Sequence, residues 1–188
     1  MNIYDFDGTI YNGDSTVDFY FFILKRHPAV VSHLPKQIFA ALCFKSGKYS
    51  VTEFKENFFS FLIGISDVSS EVDLFWKKNI KKIMPWYYEK KKESDIIISA
   101  SPEFLLAPVC KILGNISLIA SETDMKTGKF TGENCKGQEK VKRFRKKYGN
   151  AVIDDFYSDS LSDLPLARIA KRAFLVKKGK IREWNTET

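Results

Sequence analysis

Apolar positions follow two different rhythms along this chain. Between about residues 14 and 92 they recur at the spacing of one face of a helix. "STVDFYFFILKRH" opens on a Ser or Thr placed to cap a helix and stops before Pro28; "LPKQIFAALCFKSG" ends on Gly47; "SVTEFKENFFSFLIG" opens on another cap and ends on Gly64. "SSEVDLFWKKNIKKIMPWYYEKKK" is longer, and Pro85 must kink or divide it because proline has no amide proton to donate.

Outside that region short apolar runs alternate with helical ones. Residues 2–6 read as a strand entering the turn Asp7-Gly8-Thr9. After residue 93, "SDIIISAS", "NISLIAS", "AVIDDFYSD" and "AFLVKK" read as strands. The intervening helices are "PEFLLAPVCKILG", with Pro102 in its first turn, "QEKVKRFRKKYG" and "SDLPLARIAKR". "DMKTGKFTG" reads as a hairpin around Thr127-Gly128, and the polar tail after Lys180 is expected to fray. Strands alternating with helices predict an α/β fold with a doubly wound parallel sheet. The expected division is a core of residues 1–13 and 93–188 and a helical insertion of residues 14–92.

Composition adds a contrast between the two parts. The insertion holds 16 of the 27 aromatic residues, and 13 Lys+Arg against 8 Asp+Glu, so it carries most of the net charge of +7. This points to a helical subdomain with an aromatic core and a basic surface. A basic protein suits nucleic acid, anionic lipid or phosphorylated metabolites, and charge alone does not choose among them. Lys and Arg interrupt every apolar stretch well short of the roughly 18 residues of a membrane span, and Asp5 and Asp7 fall where a signal peptide would be apolar. A cytoplasmic protein without a membrane partner is expected. Cys43, Cys110 and Cys135 are too widely spaced for a disulfide framework or a zinc site and read as buried thiols.

In an open α/β sheet, ligands bind beyond the C-terminal strand ends. Three motifs fall there: Asp5-Phe6-Asp7-Gly8-Thr9, Ser99-Ala100-Ser101, and Ser158-Asp159 running on to Asp163. Four carboxylates around one small site would each resist ionisation, and a hard divalent cation removes that penalty. With Mg²⁺ present, one aspartate can attack phosphorus while a second passes a proton to the leaving oxygen.

The ordered set "DFDGT", "IIISASPEF" and "FYSDSLSD" resembles the motifs of the haloacid dehalogenase-like phosphatases. The helical insertion after the first motif is similar to the cap of their phosphoserine-phosphatase-like branch. The resemblance implies Asp5 as the nucleophile that forms an aspartyl phosphate and Asp7 as general acid/base. It implies Ser99 and the adjoining Ala100 as binders of the phosphoryl group. Mg²⁺ would be held by Asp5, the Asp7 carbonyl, Asp159 and Asp163, the last ligating it or orienting its waters. The family also needs a lysine on the phosphoryl group. "NCKGQEKVKRF" offers Lys136 and Lys140, one helical turn apart, and Lys140 is preferred because it lies inside the predicted helix. Many relatives have Gly where this chain has Ser158, which is tolerable if that position needs no positive φ. The substrate implied is a small phosphorylated metabolite.

A calcium loop starting at Asp5 would need Gly and Glu where the chain has Ile10 and Thr16. Ser101 is expected to cap the following helix. Asp154 and Asp155, earlier in their strand, and His27 and His33 read as structural or surface residues. "KVKRFRKKYG" places Val141, Phe144 and Tyr148 on one face, so its basic residues form a solvated outer face rather than a nucleic-acid surface. A phosphoaspartate signalling domain and a basic nucleic-acid-binding module remain the alternatives to a hydrolase.

Overall fold

In a computed structural model, which describes residues 1–186, the described strands form one sheet in the order β3-β2-β1-β4-β5-β6. They are β1 (Ile3–Tyr4), β2 (Ile96–Pro102), β3 (Ser117–Ser121), β4 (Ile153–Ser158), β5 (Ala170–Lys177) and β6 (Lys180–Glu183). All neighbours are parallel except β5 and β6. β1 lies between β2 and β4, so the strand order reverses direction at the point where the Asp5 loop begins.

Side chains alternate across the sheet and divide the core in two. Tyr4, Ile97 and Tyr157 face one apolar cluster; Ile3, Ile96, Ile98 and Phe156 face the other. Helix α6 (Glu103–Ile112) covers the first face through Leu105, Leu106 and Val109. Helices α7 (Gln138–Tyr148) and α8 (Leu164–Ala167) cover the second through Phe144 and Leu166. On the first face Tyr4, Tyr157 and Phe174 stack across β1, β4 and β5, with ring centroids 5.0 and 4.9 Å apart. Buried Asp95 fastens the edge of this ladder, accepting from the Asn2 and Lys92 amides and the Tyr4 hydroxyl.

Between β1 and β2 run α1 (Ser15–Arg26), α2 (Leu34–Lys45), α3 (Val51–Phe58), α4 (Val68–Asn79) and α5 (Pro85–Lys90). Pro85 does divide the long predicted helix, at the first residue of α5. Ser50 and Glu53 close a reciprocal capping box on α3. The aromatic core expected of this insertion is continuous with the first face of the sheet. Trp76 of α4 lies edge-on to Phe6 and Tyr11, and its indole donates to the Leu105 carbonyl at 2.6 Å.

Several local expectations are corrected. Asp14, not Ser or Thr, caps α1, its side chain accepting from the Val17 amide. Pro102 ends β2 rather than starting α6, and no side chain caps that helix. The predicted hairpin at Thr127-Gly128 reduces to one bridge, Thr123 to Phe130, around a turn held by Asp124. "SDLPLARIAKR" yields only four α-helical residues, after a 3-10 turn, because its last residues pair with β4 as the start of β5. The tail after Lys180 is a strand as far as Glu183. Lys178 and Gly179 both take positive φ, which turns the chain back on β5 in the hairpin sense, and Trp184 is buried behind it. Residues 187–188 of that predicted tail lie outside the described residues.

The three cysteines are free and buried, as expected. Among the described residues no helix is long and apolar enough to cross a membrane.

Because Trp76 is fully buried and joins insertion to core, Trp76→Ala should cost about 3–5 kcal/mol. Urea unfolding checks this, as a fall in midpoint at unchanged slope.

Candidate active site

The loop after β1 is a tight knot. The amides of Thr9, Ile10 and Tyr11 all turn back to the Phe6 carbonyl, and the Gly8 amide donates to the Gly13 carbonyl. Gly8 has φ +69°, and a Cβ there would lie 2.3 Å from the Asp159 carboxylate. Only glycine lets the first loop approach the loop after β4 so closely. Thr9 joins the same two loops, accepting from the Asp159 amide at 2.9 Å.

This closure gathers the residues singled out in the sequence around one cavity of about 570 Å³. It is lined by Asp5, Asp7, Ser99, Ala100, Lys136, Lys140, Asp159 and Asp163, and also by Lys55, Asp14 and Asn134. At its floor the Lys140 ammonium donates to Asp5 Oδ1 at 2.6 Å and to Asp163 Oδ2 at 2.7 Å, and it is 1% exposed. Lys140 stands in the first turn of α7, which starts after Gly137. Lys136 precedes the helix and is exposed at the rim. Geometry therefore separates the two lysines that spacing left open.

Each acid has a different setting. Burial pushes the Asp5 carboxyl up to about 7, against the pull of Lys140 and with the help of the Asp163 charge. Asp7 is pushed up to about 6, by burial first and then by Asp14, while hydrogen bonds from Ser101 and Ser15 oppose the rise. One Asp7 oxygen accepts from the Ser15 amide and the other from the Ser101 hydroxyl, which corrects the expectation that Ser101 caps α6. Lys140 is held above its usual range: burial disfavours the ammonium, but Asp5 and Asp163 outweigh it. Asp163 also accepts from Ser158 at 2.8 Å, so the hydroxyl that replaces glycine in the motif supports an acid. Ser158 is not among the residues of positive φ.

Asp159 is half-buried and makes no ion pair among the described residues; burial raises its pKa. Ser99 is 1% exposed, its hydroxyl oxygen accepting from the Ser101 amide. The Ala100 carbonyl is engaged by Lys55 and Ser121. Asp154 and Asp155 lie away from the cavity, paired with Lys171 and Arg172.

Among the described residues no three acid, His or Cys side chains converge closely enough to enclose a metal ion by themselves. The remaining donors still suit Mg²⁺, which is commonly held by one or two carboxylates plus waters and a phosphate. Asp5 and Asp159 line one cavity and offer hard oxygens, and burial raises both against their charged forms, so a bound cation there would favour the ionised carboxylates. The Asp7 side chain is committed to Ser15 and Ser101, which leaves its backbone carbonyl as the donor.

Lys55 was not singled out in the sequence. It reaches from α3 to donate to the Ala100 carbonyl at 2.6 Å and to Asn134 Oδ1 at 2.8 Å. Nothing in "TEFKENFF" distinguishes it from a surface lysine, because its partners lie 45 and 79 positions away. The loop at 124–131 closes from the other side. Gly128, at φ +73°, packs against the Phe59 backbone, and the Phe130 amide donates to Glu56.

Comparison with known proteins agrees with this geometry. The family model of haloacid dehalogenase-like hydrolases matches residues 3–168. A probable phosphatase of Mycobacterium tuberculosis is 29% identical over 103 residues, 47% of this chain and 36% of that protein. A histidinol-phosphatase of Neisseria meningitidis is 24% identical over 127 residues, 56% of either chain. The chain thus spans from about a third to little more than half of the curated relatives it matches. Among solved structures, a Bordetella pertussis protein of unknown function superposes with TM-score 0.76 at 19% identity, covering 92% of this chain and 87% of that one. A phosphoserine phosphohydrolase-like protein of Francisella tularensis gives 0.58 at 22%, covering 92% and 86%. With its acidic loops closed on Lys140 at the switch point of the sheet, the chain belongs to the haloacid dehalogenase-like hydrolase family and has the fold of its phosphoserine-phosphatase-like members.

Proposed function

We propose that the chain is a Mg²⁺-dependent hydrolase of small phosphomonoesters, working through an aspartyl phosphate on Asp5. The observation that carries this is the Lys140 ammonium held between Asp5 and Asp163 in a cavity that Asp7, Ser99 and Asp159 also line. Lys140 leaves Asp5 Oδ2 without a cationic partner, so that oxygen is the one to attack phosphorus. As the new P–O bond forms and the ester P–O bond breaks, Asp7 delivers its proton to the departing oxygen. A carboxyl near 6 is suited to that step at neutral pH. Asp7 then takes a proton from the water that attacks the acyl phosphate, which releases phosphate and restores Asp5. Ser99 and Lys140 hold the phosphoryl oxygens. Mg²⁺, bound by Asp5, Asp159 and the Asp7 carbonyl, would offset charge on the phosphoryl group.

Residues 14–92 act in this reading as the cap. Lys55 and the Gly128 turn tie it to the core across the mouth of the cavity. The cap-side wall is apolar at Val51, Phe54 and Phe58, so an organic group attached to the phosphate would sit there.

Phosphate release from a panel of phosphorylated metabolites should require Mg²⁺ and stop with chelator. Asp5→Asn should lower turnover by about 10⁴-fold or more, as loss of a nucleophile does; retention of full activity would remove the assignment. Lys140→Met should cost about 10²–10³-fold in kcat, the scale for losing one electrostatic contact to the transition state. Lys136→Met should leave kcat near that of the parent, and steady-state kinetics of the pair decides between the lysines.

Lys55 supplies a pH test. Burial pulls its ammonium down from 10.5 to about 8, with the Asp7 and Asp14 charges opposing. Between those two values the unfolded chain holds a proton that the folded one has shed, so this group's contribution to stability rises with pH. Below about pH 8 both states are protonated and the contribution is flat. The melting temperature of the parent, relative to Lys55→Met, should therefore climb between pH 8 and 10. A gap independent of pH would mean that Lys55 titrates as an ordinary surface lysine.

A further inference from the structure

Helix α2 turns its apolar residues outward. Leu34, Ile38 and Leu42, spaced one turn apart, are 41, 52 and 61% exposed, and Phe39 beside them is 60% exposed. Val31, in the turn before the helix, and Phe44, in its last turn, extend the patch. The inward side is narrow, with only Gln37, Ala40 and Cys43 buried. Such a contiguous exposed patch marks a docking surface rather than scattered surface residues.

Along the chain through the patch the charge is of one sign, although α3, packed against α2, carries Glu53 and Glu56. Residues 19–52 contain Lys25, Arg26, Lys36, Lys45 and Lys48 and no Asp or Glu. Arg26 is engaged with Glu71, but the four lysines are exposed and form no salt bridge among the described residues. Lys45 follows Leu34 by three turns and shares its face; Lys48 lies just past the helix. An apolar face bordered by flexible lysine stems is the arrangement of a helix lying in a lipid interface, its apolar side chains in the acyl boundary and its ammonium groups among anionic headgroups. A second copy of the chain is a poor occupant, because a twofold contact through this face would set the same positive charges against themselves.

The patch also runs on to the cavity. Phe44 stacks on Phe54 with ring centroids 5.2 Å apart, and Phe54 lines the cavity wall.

We propose that the α2 face of the insertion docks the protein on the surface of anionic lipid bilayers, without spanning them. This goes beyond the sequence-based expectation of no membrane partner, which rested on the lack of a span, and it holds whether or not the site hydrolyses phosphomonoesters. The apolar wall of the cavity would then lie beside the headgroup layer.

Cosedimentation with vesicles tests it. The parent protein should pellet with mixed phosphatidylcholine–phosphatidylglycerol vesicles, far less with phosphatidylcholine alone, and less again as salt rises. Lys36→Glu and Lys45→Glu should each lower the partition coefficient about fivefold or more. The pair Ile38→Asp with Leu42→Asp should abolish pelleting while leaving the melting temperature unchanged, since both side chains are exposed. Parent protein that stays in the supernatant with anionic vesicles at low salt would overturn the proposal. So would equal binding to neutral and anionic vesicles, or a solution dimer that Leu42→Asp converts to monomer.

Discussion

One buried ammonium group organises the acidic loops at the strand ends of this molecule. Lys140 is the cation that lets Asp5 and Asp163 share a water-poor site, and those residues come from opposite ends of the chain. Two buried carboxylates without it would face both desolvation and mutual repulsion. The topology follows from the same need. β1 must lie between β2 and β4 so that three loops reach one point, and α7 must start close enough for its first turn to place the lysine there.

The approach of those loops depends on atoms too small to attract notice in a sequence. Gly8 leaves room for the Asp159 carboxylate, and Thr9 bridges to the amide of the same residue. Ser158 fills a position that glycine often holds elsewhere and uses its hydroxyl to steady Asp163. The placement of the acids therefore rests on neighbouring hydroxyls and amides that orient them.

The helical insertion couples to this centre in two ways. Its buried side joins the core of the sheet through Trp76, so it is not an independently packed module. Its cavity side sends Lys55 across to the Ala100 carbonyl, directly after Ser99. Beside that cavity the two parts meet through Lys55 and through the rings of Phe59, Phe104 and Phe130, while the outward side of α2 is exposed.

Much of the fold and of the site was legible in order and spacing. Alternating short apolar runs and helices implied the parallel sheet, and acids placed just after β1 and β4 implied a shared crevice. Local patterns failed where a distant partner decides the outcome. Ala170 to Arg172 look helical but pair with β4. The tail looks frayed but folds back on β5, with Trp184 buried behind it. Ser101 looks like a cap but serves Asp7, Lys55 looks like surface, and spacing alone leaves Lys136 and Lys140 both open. The chain by itself determined which residue types stand at strand ends, because period and capping are properties of neighbours along the backbone. Only the folded structure decided which acid meets which cation, because that depends on distances and burial among residues as much as 158 positions apart.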